Sequence, residues 1–269
     1  MLWTLVLLSL LGASMSAAGS LRARQATALK RNARLDAAAE GAVQVAAFHL
    51  LDGGNNHWNA DGGVHREKLG DLTLVVAAVS EAGKINPNVA QGPLLSTLLQ
   101  VVGVARDRAD ALAAAIVAWR FPNAMNTGPL PGQDYRAPGQ PFESLSELGL
   151  VPGMTPPLLR TLLPHLTLFH DGDPVLARAD PVVRRAVQTM AGIDGGDDSG
   201  SATPPDATTA ADDAVTVFAW ARDGRGHQSG RRAVLLLRQA GGEGQDAVPF
   251  RIVDWAPLYG LLDGPRVSG

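Results

Sequence analysis

The sequence predicts an α+β fold: a long N-terminal helix packed on an antiparallel sheet, with a large all-helical block inserted after the first strand. Three observations predict it. From Leu21 to Leu51 there is no proline and only one glycine, Gly41, in a stretch of Ala, Leu, Gln, Arg and Glu that favours helix. The run DLTLVVAAVS, ending at Ser80, alternates as a strand does, and helix-period segments follow it. Three more alternating runs, AVTVFAWAR, RRAVLLLRQ and VPFRIVDWA, close the chain with glycine-rich turns between them, which reads as an antiparallel meander. A lone strand needs partners, and the meander supplies them.

The chain of 269 residues is long enough to bury a proper core, and its net charge of −3 gives no global basic field for nucleic acid. It contains no cysteine, which removes disulfides, thiol nucleophiles and Cys-ligated metals.

Residues 1–21, MLWTLVLLSLLGASMSAAGSL, carry no charge before Arg22. About 20 apolar residues suffice to cross a bilayer, so this run reads as a transmembrane anchor, with a signal peptide cleaved near Ala17 or Ala18 as the rival. Leu2, Trp3, Leu5 and Leu8 supply its apolar surface; Gly12, Ala13 and Ser16 are small enough for close helix approach. Arg22, Arg24, Lys30, Arg31 and Arg34 follow, and the positive-inside rule alone would put that side in the cytoplasm. Residues 22–51 read as a stalk helix, with Leu29, Ala33, Ala37, Gly41 and Val45 as its small or apolar face.

Residues 52–85 together with 212–257 form the α+β body. Within them DGGNNHWNADGG, 52–63, reads as turns, and the strand before Glu81 stops at Gly83-Lys84. Residues 86–191 form the inserted helical domain. Asn86 or Asn88, on either side of Pro87, is placed to cap the first helix, whose stripe is Leu94, Leu95, Leu98, Leu99 and Val102. A second stripe runs from Asp107 to Trp119, and a long loop from Phe121 to Gln140. A helix–turn–helix follows: Ser144 and Glu147 fit a capping box, Val151-Pro152-Gly153-Met154 is the turn, and Thr155 caps the second arm. Residues 192–213 read as a flexible linker and 258–269 as a tail.

Chemistry finds little footing. There is no Gly-x-Ser-x-Gly, P-loop, His-Glu-x-x-His or Gly-x-Gly-x-x-Gly pattern, so no enzyme activity is expected. His49, His57 and His65, eight apart, straddle a Gly-Asn loop and are too widely spaced for a metal motif even with Asp52 and Asp61. Asp171-Gly172-Asp173 lacks the later Glu of a calcium loop and reads as a turn with a helix cap. The Gly153 turn is similar to DNA-binding helix-hairpin-helix turns, but Thr155 stands where a second glycine is usual and only Arg160 is basic nearby. Trp119, Trp220 and Trp255 end apolar runs and read as core or sheet-face packing.

Taken together, several features resemble one family. They are the N-terminal apolar helix, EAGKINPNVA entering a leucine-rich helix, the Ala-Ile-Val-Ala-Trp end at Trp119, and Asp134-Tyr135. Pro141-Phe142-Glu143-Ser144 with Glu147-Leu148, Val151-Pro152-Gly153-Met154, and PFRIVDW ending at Trp255 complete the ordered set. The chain resembles the minor pseudopilin K (GspK-like) family of bacterial type II secretion systems. That resemblance implies a pseudopilin-like fold with a helix-hairpin-helix/SAM-like insertion, marked by Gly83, Lys84, Asn86, Pro87, Asn88, Trp119, Pro141, Phe142, Glu147, Leu148 and Gly153. It implies a single-pass inner-membrane protein with its bulk in the periplasm, assembling with other minor pseudopilins at the pseudopilus tip. A prepilin peptidase would be a further partner if a leader lies upstream of Met1, and that leader would supply the missing cytoplasmic charge. Family members carry acidic, calcium-associated residues after the tryptophan; here Arg120, Phe121, Pro122 and Asn123 follow, so no calcium and no other cofactor is expected. A reduced second helical half is implied at Asp173-Pro174-Val175-Leu176-Ala177. A membrane-tethered helix-hairpin-helix module for DNA binding or uptake is the alternative from another class.

Overall fold

The computed structural model describes residues 2–120, 139–192, 213–237 and 248–258, and within the first helix it leaves the side chains of residues 2, 5 and 7–21 undescribed. Most of the loop expected over Phe121–Gln140, the linker, the tail beyond Leu258 and Asp134-Tyr135 lie outside these residues. The chain divides into two compact units. One comprises Met1–Val79, Thr216–Leu235 and Phe250–Gly269, and the other Ser80–Val215 and Leu236–Pro249.

The first unit is a helix on a sheet. Helix α1 runs unbroken from Leu2 to Leu51, 50 residues or about 75 Å. Among its described side chains the buried ones are Leu35, Ala38, Ala39, Ala42, Val43, Ala46, Ala47 and Leu50. The face expected from the sequence is the wrong one: Leu29 is 62% exposed, Ala33, Ala37 and Gly41 are exposed, and only Val45 is half-buried. The reason is geometric. A row repeating every four residues drifts about 40° per step, and so winds about 160° round the helix between Leu29 and Val45. The alternating three–four spacing drifts only about 20° per heptad and stays on one side. Arg231 holds that side to the sheet, reaching Asp36 at 3.4 Å and Glu40 at 3.3 Å, while Ser229 also donates to Asp36.

The sheet has five strands: β1 (Asp61–Leu69), β2 (Leu72–Ser80), β3 (Asp213–Arg222), β4 (Gln228–Leu237) and β5 (Phe250–Leu258), in that spatial order. The reading of 52–63 as turns missed the start of β1, which pairs antiparallel with β2 from Val64↔Ala77 to Leu69↔Leu72 and has a bulge between Asp61 and Val64. His65, Arg66, Glu67 and Lys68 give β1 no apolar period to detect; an edge strand with such residues resists pairing with foreign chains. The other edge, β5, carries Pro257, which a central strand would not tolerate. Asp223 receives the His227-side turn, its N–H donating to the His227 carbonyl at 3.0 Å, and so joins β3 to β4.

The second unit is helical: α2 (Gly92–Val101), α3 (Arg106–Arg120), α4 (Pro156–Leu162) and α5 (Pro181–Met190), with 3₁₀ turns at Glu81–Gly83, Leu145–Leu150, Leu163–His165 and Leu176–Arg178. Helix α2 packs on α3 and α5 around Leu98, Leu99, Leu148, Val151 and Val183, each at most 2% exposed. Neither Asn86 nor Asn88 caps α2; Gln91 precedes it and Pro93 sits in its first turn, where the ring costs no hydrogen bond. The Ser144–Glu147 capping box is present, but the arm it opens is six residues of 3₁₀ helix, Leu145–Leu150, ending at Val151. Thr155 precedes α4 without a side-chain cap bond, and Asp173 caps nothing, since Val175 precedes the next turn.

The two candidate faces of α1 are separable by substitution. Ala42→Leu overpacks the buried side and is expected to lower unfolding free energy by about 1–3 kcal/mol. Ala37→Leu on the exposed side should stay within about 0.5 kcal/mol of the parent, with both read by urea denaturation.

Candidate functional site

The segment Glu81–Ala90, which opens the helical unit, hands its polar groups to residues far along the chain. Ser80 Oγ accepts from Ala82 N–H at 3.3 Å and starts the 3₁₀ turn. The Ala82 carbonyl accepts from Val175 N–H at 2.8 Å. Ile85, fully buried, lies between two partners: its N–H donates to the His165 carbonyl and its carbonyl accepts from Thr167, both at 3.0 Å. Such backbone groups, buried away from water, must find partners within the protein. Ser80–Ile85, assigned to the sheet body from the sequence, therefore counts with the helical unit.

Gly83 is there for room. A Cβ at this position would lie 2.1 Å from the Arg178 carbonyl oxygen and 2.8 Å from Ala179 N, so only glycine allows the two backbones to meet. Lys84 folds back so that Nζ donates to Glu81 Oε1 at 2.5 Å, matching a carboxylate that is only 2% exposed overall. An ion pair this buried is costly to split, because removing one partner leaves the other charge uncompensated.

The two asparagines brace the turn from either side. Asn86 donates from Nδ2 to the His170 carbonyl at 2.9 Å and to Asp171 Oδ1 at 3.3 Å, and its Oδ1 accepts from Asn88 N–H at 2.9 Å. Asn88 reads the backbone of Phe142 both ways, donating to its carbonyl at 2.9 Å and accepting from its N–H at 2.7 Å. Phe142 is thereby laid parallel to Trp119, with ring centroids 6.0 Å apart. Arg120, 7% exposed, aims its guanidinium back at the same turn and donates to the carbonyls of Pro87 at 2.5 Å and Ala90 at 2.6 Å. Burial lowers its pKa. Pro141 is exposed, whereas Leu148 is fully buried and Gly153 turns the chain with φ +87°, its carbonyl accepting from Arg108 at 3.2 Å.

A second polar anchor was not read from the sequence. Asp180 caps α5, accepting from the N–H groups of Val182 at 2.8 Å and Val183 at 3.1 Å, and its Oδ2 meets His165 Nδ1 at 2.8 Å. Burial alone would raise its pKa, but the His165 hydrogen bond and charge with the two backbone donors outweigh that and hold the carboxyl below its ordinary value. The signal available was Asp180-Pro181, a cap residue before a proline at the first helical position.

The three histidines do not converge. His49 and His65 instead lie flat on opposite faces of Trp58, with centroids 4.3 and 3.9 Å away, while His57 turns to the Asp52 carbonyl. Trp58 is 8% exposed, a core residue in a run of Asn, Gly and His that reads as solvated loop. Among the described residues no group of three or more His, Cys, Asp or Glu is placed to hold a metal ion. The residues following Trp119 and Arg120 on which a calcium-associated loop would be sought lie outside those described. Among the described residues, too, no helix is long and apolar enough to cross a membrane; the side chains of Leu2, Leu5, Leu8, Gly12, Ala13 and Ser16 lie outside them, and Trp3 is 81% exposed.

What this geometry offers is architecture: Glu81 and Lys84, the segment's charged groups, pair with each other, and Arg120 of α3 is engaged by the segment's backbone carbonyls. Residues 72–171 match the family model described as Type II secretion system (T2SS), protein K. That span runs from the start of β2 to Asp171 and contains the whole braced segment. No curated protein matches the sequence. Among solved structures, the chain is similar to one in the crystal structure of the GspK-GspI-GspJ complex from the enterotoxigenic Escherichia coli Type 2 Secretion System. The two share 15% identity at a TM-score of 0.59, over 89% of this chain and all of that one.

Two measurements probe the braced segment. Gly83→Ala is expected to destabilise the chain by about 1–3 kcal/mol, since one backbone must retreat from the other; an unchanged denaturation midpoint would contradict the close approach. Asp180→Ala should cost about 1 kcal/mol or somewhat more at neutral pH through the lost cap. Because the folded carboxyl titrates below the unfolded one, its contribution is present above the ordinary carboxylate range and fades as pH falls through the folded value. The difference between parent and Asp180→Ala in urea melts should therefore shrink below about pH 4.

Proposed function

We propose that this GspK-like chain is a minor pseudopilin of the type II protein secretion system, acting by assembly with other minor pseudopilins and without chemistry or a cofactor of its own. The observation that carries the reading is the protein K match over residues 72–171, which covers the braced entry into the helical unit, joined to a fold likeness along most of the chain.

The physical basis is a division of labour between the two ends of the molecule. Residues 1–21 anchor the chain in the inner membrane and, on assembly, exchange lipid contacts for contacts with partner helices. Gly12, Ala13 and Ser16 let those helices approach closely, where packing and not hydrophobicity drives association. The remainder stands in the periplasm, and its inserted helical domain is too bulky for another subunit to sit above it, so the chain caps the pseudopilus. A prepilin peptidase would be a further partner if a leader lies upstream of Met1.

Tagged protein purified in mild detergent from its native membranes should bring down other minor pseudopilins in stoichiometric amounts. Recovery of the chain alone, under conditions that keep those proteins together, would overturn the proposal. The intact mass of the same preparation reads the N-terminus, and a start near Ser20 would replace the anchor with a cleaved signal.

A further inference from the structure

The first acidic residue of the chain is Asp36, and before it stand five cations, Arg22, Arg24, Lys30, Arg31 and Arg34, in a protein whose net charge is −3. In the folded unit this stretch of α1 is largely uncovered. Arg22, Arg24 and Lys30 are exposed, as are Ala23, Gln25, Ala26 and Thr27 between them, while Ala28 and Arg31 are half-buried. Arg34 pairs with Asp71; among the described residues the other four have no acidic partner. At about 100° per residue the five side chains spread over about 200° of the helix circumference, a broad collar and not a narrow seam, and along the axis they occupy about 18 Å.

The position of the collar gives it a partner. From Leu2 to Leu21 the helix is uncharged over 20 residues, about 30 Å, which is the thickness of a bilayer's hydrocarbon core. A helix seated to that depth brings Arg22 and Arg24 into the headgroup layer and holds Lys30 and Arg31 about one Debye length above it. With the body in the periplasm these cations lie opposite to where the positive-inside rule would put them, so their charge has no orienting role to explain it. An acidic protein partner would be met by a one-sided stripe; a collar suits a surface that surrounds the helix. We propose that Arg22, Arg24, Lys30 and Arg31 dock on anionic lipid headgroups around the emerging helix and hold α1 at a fixed depth until assembly pulls it out. This inference rests on the membrane-anchor reading of residues 1–21.

The absence of cysteine makes the test direct. The full chain carrying Ala26→Cys, labelled with an environment-sensitive dye, is reconstituted in vesicles of phosphatidylcholine alone or with about 30% phosphatidylglycerol. In the anionic vesicles acrylamide quenching of the dye should fall about twofold or more, and the protection should vanish in about 0.5 M salt and in the Arg22→Gln/Arg24→Gln/Lys30→Gln/Arg31→Gln variant. Equal quenching in both vesicles overturns the proposal, as does protection that appears only when other pseudopilins are added. Flotation in neutral vesicles at high salt reads the anchor separately. A chain that fails to float loses the anchor reading and the collar with it, whereas a chain that floats but is quenched equally in both lipids loses the collar alone.

Discussion

The helical unit depends on one constraint: the segment Ala82–Ile85, which leaves a 3₁₀ turn, must place its backbone groups against residues that come 80 or more positions later. Ile85 is bracketed by His165 and Thr167, Ala82 by Val175, and Gly83 is pressed on Arg178. None of these contacts is made by a distinctive side chain. They are backbone meetings, secured because unpaired buried amides and carbonyls are expensive and because one position has no Cβ. Everything else in the unit hangs from this line. Asn86 and Asn88 fix the loops at 170 and 142, Arg120 ties the end of α3 to the same turn, and Asp180 holds α5 to His165.

The sheet unit obeys a different economy. Its core includes α1 alanines, which let the helix backbone lie close to the strands, and at its rim Arg231 spans Asp36 and Glu40. Trp58 is the exception, a large ring clamped between two imidazoles that closes the end of α1 onto β1.

Legibility in the sequence followed the range of the interactions. Alternation located β2 to β5, and the apolar stripes located α2 and α3, because those signals are written within ten or fifteen residues. The polar edge strand β1 escaped, since its place comes from hydrogen bonds to β2 and its side chains carry no period. The buried face of α1 escaped because an alanine-rich helix offers several plausible rows and only the sheet selects one. At the site, Gly83, Asn86 and Asn88 stood out, yet helix capping was the nearest local explanation for the asparagines and it is not the role they fill. Their true partners, the carbonyls of His170 and Phe142, are main-chain atoms, which every residue has and no sequence motif reveals.

The distance between Gly83 and Arg178 also sets a timetable for the growing chain. About 95 residues must leave the ribosome after Gly83 before its partner exists, some 5–20 s at typical elongation rates. Through that interval the β1–β2 hairpin, joined by Gly70 and Asp71, is complete, but the turn that follows it has nothing to rest on. Strand β3 comes later still, beginning at Asp213, so β2 waits longer for its sheet neighbour than Gly83 waits for its helix turn. The helical unit is therefore the first part of this protein able to close, and the sheet, whose strands straddle it in the chain, is the last.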